Sequence, residues 1–346
     1  LESATGAVHV ADVTTYATTV FGEVASAGIE LNAGGADGDD LAITAGSLSA
    51  SAAVDPDGVS SGSGVGTALS HIDIAARGSS GRVDIDSASA YAFSPGGEAH
   101  APIFIDNPNG AIDVGLINAR AIGHSATEID GSVNINTRPG ADQSDPTLDV
   151  KPGESALVSL GDVFAEAVNN NANGSVDGGI YVLAHRLDMN GQMLAQTTGG
   201  DSNGGRILLA ATTSANLRGS IEATEELVVT ANLIELVDLS LRAGFNVALL
   251  AGVGDIEDIL DGARVASPIN GADIRLDNVS IDAPITIMVA AGSITDANFG
   301  IGKSSGPVGP SNPMFLNQIN SDYVLASAGE AIDLDSTLIE LSGNRP

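Results

Sequence analysis

The chain has 346 residues, 43% of them hydrophobic, so it can bury a large core and is not disordered by composition. Its 44 acidic residues face 13 basic ones, for a formal net charge of -31. Phosphate and anionic lipid are both bound through Lys and Arg, so this balance excludes nucleic acid and acidic membrane surfaces as partners. Cysteine is absent, which excludes a disulfide framework, a thiolate metal site and a Cys nucleophile. No run approaches the ~18 apolar residues of a membrane-spanning helix.

Aromatic residues make up only 3% and Trp is missing, so the core must be built from Ile, Val, Leu and Ala in thin layers. The 43 glycines have no every-third-residue period, which excludes a collagen-like chain. The acidic excess suits a solvated, aggregation-resistant surface, and salty or calcium-rich water would relieve its self-repulsion.

In chain order, apolar residues alternating with a period of two predict strands at Val8-His-Val10, Ile29-Glu-Leu31 and Leu41-Ala-Ile43. Residues 51–68 read as a Gly/Ser/Asp loop. Strands return at Ile72-Asp-Ile74 and Val83-Asp-Ile85, where Asp alternates with apolar residues, leaving one face buried and one wet. Residues 91–111, with Pro95, Pro102 and Pro108, read as a looser excursion. Strands resume at Ile112-Asp-Val114 and Val133-Asn-Ile135, and 137–153, with three more prolines, is another surface excursion.

Residues 155–168 and 222–236 have helical spacing in places. Val158-Ser-Leu160 and Leu227-Val-Val229 alternate, however, so both stretches are assigned to strand. Residues 300–320, with Pro307, Pro310 and Pro313, cannot form a central strand and read as a long insertion. The first residues lack the basic start and apolar run of a signal peptide. Leu338-Ile-Glu-Leu341 is still strand-like, which suits a segment of a longer repeat protein.

One phrase keeps returning: apolar, any, apolar, any, Ala, often then Gly. It occurs as Ile29-Glu-Leu31-Asn-Ala33-Gly34, Leu41-Ala-Ile43-Thr-Ala45-Gly46, Leu227-Val-Val229-Thr-Ala231, Val247-Ala-Leu249-Leu-Ala251-Gly252 and Ile287-Met-Val289-Ala-Ala291-Gly292. Each reads as a strand of about five residues ending at a tight corner, too small to bury a face alone. Ile207, Leu227 and Val247 are spaced by twenty, which suggests coils of about twenty residues. The expected fold is all-β, a parallel β-solenoid running over 1–346 as a single segment.

Val247-Ala-Leu-Leu-Ala-Gly-Val-Gly-Asp-Ile256, Ile287-Met-Val-Ala-Ala-Gly-Ser-Ile-Thr-Asp296 and Val324-Leu-Ala-Ser-Ala-Gly-Glu-Ala-Ile-Asp333 resemble the degenerate repeat of filamentous-haemagglutinin-type exoproteins and giant bacterial surface adhesins. The resemblance covers about 205–300 and recurs near 323–341. It implies a right-handed parallel β-helix, export to the bacterial cell surface and adhesive or structural work. The family's amino-terminal secretion domain is not recognisable in this sequence.

Gly34-Gly-Ala-Asp37-Gly-Asp39-Asp40 resembles the nonapeptide of RTX repeats, in which Asp carboxylates from successive coils surround calcium. It stands as one copy, with Asp37 where a glycine belongs, and a plain acidic turn accounts for the same residues. Asp255, Glu257, Asp258 and Asp261 lie within seven positions, as a cation site, a glycosidic carboxylate pair or a solvated turn. Calcium at Asp37, Asp39, Asp40, Asp255 and Asp258 is the one cofactor expectation.

Asp73, Asp84, Asp86, Asp113, Asp149 and Asp333 sit between apolar strand residues and could stack outward into ladders whose like charges repel. Polysaccharide lyases and hydrolases on this fold use such ladders with a basic residue. Arg77, Arg82, Arg120, Arg186, Arg206 and Arg275 are candidates, though no motif ties any of them to a carboxylate. His9, His71, His100, His124 and His185 are scattered, without metal-ligand spacing.

The leading expectation is a non-catalytic structural or adhesive extracellular rod or filament-forming segment. It would associate end to end or with neighbouring repeats of a longer chain, and with a cell-surface glycan. The alternative is a β-helix polysaccharide lyase or glycoside hydrolase, with the loops 51–68, 91–111, 137–153 and 300–320 walling a groove.

Overall fold

The computed structural model describes residues 1–3, 6–19, 23–34, 41–54, 66–77, 81–108, 110–124, 126–137, 157–170, 174–199, 201–202, 204–252, 272–296 and 317–341. These residues form β-strands and no helix, and the strands pair in parallel. The chain divides into two compact units, Leu1–His185 with Gly191–Leu208 and Ala223–Glu225, and Arg186–Asn190 with Leu209–Glu222 and Glu226–Pro346.

In the first unit the chain alternates between two ladders. One ladder runs through Val8–Thr19, Leu41–Val54, Arg82–Ser94, Ile112–Gly123 and Leu157–Asn169. The other runs through Val24–Gly34, Thr67–Arg77, Ile103–Asp106, Val133–Asn136 and the start of Ile180–Thr198. Each strand thus hydrogen-bonds to one a full circuit away in sequence, an arrangement compatible with a β-solenoid.

The alternation read from the sequence becomes columns of like residues. Ile29, Ile72, Ile103, Val133 and Ile180 stand opposite one another in turn, and all are buried. Leu31, Ile74, Ile105, Ile135 and Val182 form the next inward column. Parallel strands lie ~4.8 Å apart, so branched aliphatic side chains stacked at that spacing fill the interior without rings. Full burial of each is worth about 1.5–3 kcal/mol.

Two expectations change here. The strands of the first ladder do not stop at Ala-Gly but run through it, as in the 14-residue strand Leu41–Val54. The inward alternation shifts phase at Gly46-Ser47, Asp86-Ser87, Gly115-Leu116 and Gly161-Asp162, where two consecutive residues face away from the core. The backbone bends there while pairing resumes on the other side, as between Ala45 and Ile85 and then Ser47 and Ser87. A β-carbon on Gly161 would overlap the Gly115 carbonyl oxygen, so at that position the bend stacks only with glycine. The repeat of this unit is also longer than twenty, since Ile103 is opposite Val133, thirty positions on. The longer strands and the bend account for the added length.

Residues 91–111 are not a loose excursion. They complete Arg82–Ser94 and supply Ala99–His100 and Ile103–Asp106, with Ala99, Ala101, Ile103 and Ile105 buried. The prolines occupy strand boundaries, where no N–H is needed, and the Pro102 carbonyl accepts from the Ile72 N–H at 3.2 Å. Of 51–68, the two ends are strand and 55–65 lies outside the described residues. Thr137 is buried and its N–H donates to the Leu183 carbonyl, while the rest of 137–153 lies outside. Asn317–Ser321 is a strand, whereas 300–316 lies outside.

In the second unit one ladder runs through Glu226–Ala231, Asn246–Ala251, Ile285–Ala290 and Tyr323–Ala328. The other includes Leu233–Ala243, Ile274–Asp282, Asn317–Ser321 and Thr337–Leu341. Leu227 is opposite Val247, twenty positions on, as the spacing predicts. The next phrase is displaced by one: Val247 meets Thr286, and Ile287 meets Ala248. Thr286 is fully buried and its hydroxyl lies 2.6 Å from the Ser321 hydroxyl, which satisfies a polar group in an otherwise aliphatic column. Ile287 packs instead with Val228 against the buried cluster of Ala248, Leu250 and Val289.

Both segments with partial helical spacing are strand: Leu157–Asn169 in one case, and Glu226–Ala231 with Leu233–Ala243 in the other. β-branched residues and tertiary burial outweigh the weak helical period there.

Candidate functional site

The acidic residues expected to hold calcium, Asp37, Asp39, Asp40, Asp255 and Asp258, lie outside the described residues, as do Glu257, Asp261 and Asp149. Among the described residues no group of three or more His, Asp or Glu side chains is arranged to hold a metal ion. The histidines stay apart. His71 Nε2 is 3.6 Å from Glu30, His100 Nε2 is 3.7 Å from Glu98, and His124 packs edge-on to Phe93 with centroids 5.7 Å apart.

The expected aspartate ladder is short and carries its own counter-ion. Asp84 is opposite Asp113, and the Arg82 guanidinium bridges the two, 3.4 Å from Asp84 and hydrogen-bonded to Asp113. Asp73 is opposite Glu30 on one side and Phe104 on the other, so its like-charge contact ends after one step, and Asp333 is opposite Thr295. Other arginines sit the same way: Arg120 is 2.7 Å from Glu166 on the facing strand, and Arg275 is 2.9 Å from Glu235 and 3.5 Å from Asp273. The cross-strand partners, Asp113 of Arg82, Glu166 of Arg120 and Glu235 of Arg275, lie dozens of positions apart in sequence. Local motifs therefore miss them, while ladder register brings them together.

One group in the first unit is chemically distinct. Ile129-Asp130-Gly131-Ser132 and Val176-Asp177-Gly178-Gly179 are the same turn on facing strands, with Asp130 opposite Asp177. Each carboxylate accepts the backbone N–H two residues on, from Ser132 at 2.9 Å and from Gly179 at 2.9 Å. Asp sidesteps a loop here by closing a turn on its own backbone. Burial, and to a lesser extent the Asp130 charge, push the Asp177 carboxyl above the ordinary range against the pull of the Gly179 N–H and Arg206. Burial and the Asp177 charge push the Tyr181 phenol up to about 12. Arg206 Nε is 3.6 Å from Glu225 beside them. The doubled Asp-Gly turn was visible in the sequence, but nothing there marked its burial.

The sign of the Asp177 shift gives a prediction. A carboxyl held high in the folded state binds its proton more tightly there than in the unfolded chain. Its contribution therefore favours folding below the unfolded pKa and is lost as pH rises through the folded value. Asp177→Asn keeps an oxygen for the Gly179 N–H and carries no charge. It is expected to raise Tm by about 2–4 °C near pH 7. Below about pH 3, where both carboxyl states are protonated, the gain should vanish. Thermal unfolding followed by circular dichroism at the two pH values checks this. A gain equal at both would show that charge is not the cause.

The last described strands of the second unit are less buried than the layers before them. Ile339 continues the column of Leu241, Ile281 and Ile319 yet is 42% exposed, against 1% for Ile319. Ile332 continues Ile234, Ile274 and Ile294 and is 49% exposed, against 0% for Ile294. Of the eleven exposed large hydrophobic residues among the described ones, six lie in these last strands: Tyr323, Leu325, Ile332, Leu338, Ile339 and Leu341.

No helix among the described residues is long and apolar enough to cross a membrane. Comparison of the chain with protein-family models, with curated proteins and with solved structures gave no match.

Proposed function

We propose that the parallel ladders are the flanks of a right-handed β-solenoid, and that the chain is a structural or adhesive segment of an extracellular bacterial surface protein with no catalytic role. The observation that carries this reading is the continuity of the buried columns, Ile29 to Ile180 in one unit and Ile234 to Ile294 in the other. A column of that kind is a stacking device, extended by adding layers. The right-handed sense follows from the strong preference of parallel crossover connections for that hand. The adhesin-type repeat resemblance supplies the surface location and the filament-like or glycan-facing role. The acidic surface fits exposure to salt water or calcium.

The second reading, a polysaccharide lyase or hydrolase, is favoured by one feature: Asp177, whose carboxyl burial pushes above the ordinary range, faces Asp130 beside Arg206. A carboxyl that holds its proton in this way is what a general acid at a glycosidic bond needs. A panel of acidic and neutral polysaccharides, scored for reducing ends and unsaturated products with and without calcium, separates the two. No turnover is expected, together with elongated particles in electron microscopy. Turnover that Asp177→Asn abolishes would replace the structural reading by the enzymatic one.

A further inference from the structure

We infer that one outward face of the first unit is a binding platform for an uncharged, extended β-1,4-linked polysaccharide, laid across the strands along their stacking direction. The inference rests on the proposed adhesive solenoid reading and adds to it the face, the chemical class of glycan and the residues that hold it.

The face lies where the first ladder continues beyond its bends, on the second halves of Val8–Thr19, Leu41–Val54, Arg82–Ser94, Ile112–Gly123 and Leu157–Asn169. Three positions on each strand alternate there with inward-facing residues, and all of them are partly or fully exposed. In a chain of net charge -31 this face carries one carboxylate, Glu166, which Arg120 neutralises at 2.7 Å. Its other positions are Ser, Thr, Asn, Ala, Ile, Val and four aromatic rings. The next paired strand, Ile180–Thr198, continues it with Leu194, Gln196 and Thr198, again without charge. Before the bends the same strands do carry charge outward, at Arg82, Asp84 and Asp113.

The rings have a period. Tyr16 lies on the first strand of the ladder, Tyr91 and Phe93 on the third and Phe164 on the fifth, while the second and fourth have no aromatic residue. Tyr16, Ser51 and Tyr91 stand opposite one another in turn, so the two phenol rings are two layers apart, ~10 Å at the parallel-strand spacing. Phe93 and Phe164 take the adjoining outward positions to either side of that column.

Chemistry selects the occupant. In an extended β-1,4-linked chain every second pyranose presents the same face, and that two-sugar repeat is close to two layers of this ladder. The C–H face of a pyranose packs on an aromatic ring, and its hydroxyls bond to the Ser, Thr and Asn side chains between the rings. An acidic glycan finds no unpaired cation on this face and is repelled by the rest of the chain. A protein interface needs a contiguous apolar centre, whereas hydroxyl-bearing residues such as Ser51 separate these rings.

The test is depletion of the 346-residue chain from solution by microcrystalline cellulose and by chitin, at about 0.01 M and 1 M salt, beside the double variant Tyr16→Ala/Tyr91→Ala. Tyr16 is 70% exposed and Tyr91 points outward, so the variant is expected to keep the parent circular dichroism spectrum. The expected result is saturable binding to at least one polymer that persists at high salt and is about ten-fold weaker in the variant. Tyr91→Phe keeps the ring and is expected to bind as the parent does. Phe104→Ala, on the other ladder opposite Asp73, is expected to leave binding unchanged. No binding to either polymer, binding lost at high salt, or undiminished binding by the folded double variant would each overturn the inference. A dimer in sedimentation equilibrium that the double variant abolishes would overturn it as well, by assigning the face to a second copy.

Amide hydrogen exchange separates its failure from that of the underlying reading. Protection of Arg82–Ser94 and Ile112–Gly123 without binding sinks the platform alone. Absent protection in these strands sinks the solenoid reading as well.

Discussion

Gly199→Ala is expected to destabilise the first unit by about 3 kcal/mol, a large effect for one added methyl group. Gly199 follows the strand Ile180–Thr198 with φ +76°, in the left-handed region that costs a residue with a β-carbon about 1–2 kcal/mol. An added β-carbon would also overlap the backbone carbonyl oxygen of Asn169, so no side-chain rotation can relieve it. Asn169 itself cannot yield easily. It is fully buried, and its side-chain amide donates to the Ala126 carbonyl at 2.9 Å, tying the end of Leu157–Asn169 to the neighbouring turn. Crowding at a packed site of this kind costs about 1–3 kcal/mol more. Urea titration gives the comparison, with Gly6→Ala as control, because a β-carbon at Gly6 meets only the Ser3 hydroxyl at 3.3 Å. The control should stay within about 0.5 kcal/mol of the parent. A Gly199→Ala chain equally close to the parent would mean that this turn is free to relax.

Gly199 also marks what could be read from residue types alone. Alternation announced strands at Ile72-Asp-Ile74 and Val133-Asn-Ile135, and both are where they were expected. Alternation states which residues share a face but not how far a strand continues past a bend. Gly46 therefore read as a terminus, although Leu41–Val54 passes through it. Proline was misread for a related reason: Pro102 forfeits an N–H yet keeps a carbonyl, and the carbonyl is what Ile72 uses. Repeat length was legible where nothing intervenes, as between Leu227 and Val247, and lost where the register moves by one at Thr286. The charged pairs were the least legible. Arg82 with Asp113, or Arg275 with Glu235, are neighbours only through ladder register, which no local window contains. The five acidic positions singled out for calcium fall outside the described residues, so their chemistry rests on the sequence argument alone.

The column Leu241, Ile281, Ile319 and Ile339 allows one residue type to be compared with and without a covering layer. Ile281→Ala is expected to cost about 4 kcal/mol, because Ile281 is fully buried with a layer on each side and the space vacated has no side chain free to refill it. Ile339→Ala removes the same atoms from a side chain 42% exposed, with a neighbour below and solvent above. It leaves no enclosed cavity, and only part of the transfer term is lost, so the expected cost is about 1 kcal/mol. Both belong to one unit, which makes their urea midpoints directly comparable at low salt and low protein concentration. The difference of about 3 kcal/mol is the contribution of enclosure itself. Equal costs under dilute, low-salt conditions would mean that layers above and below contribute nothing to the interior, and the stacked-column account of this fold would fail with them.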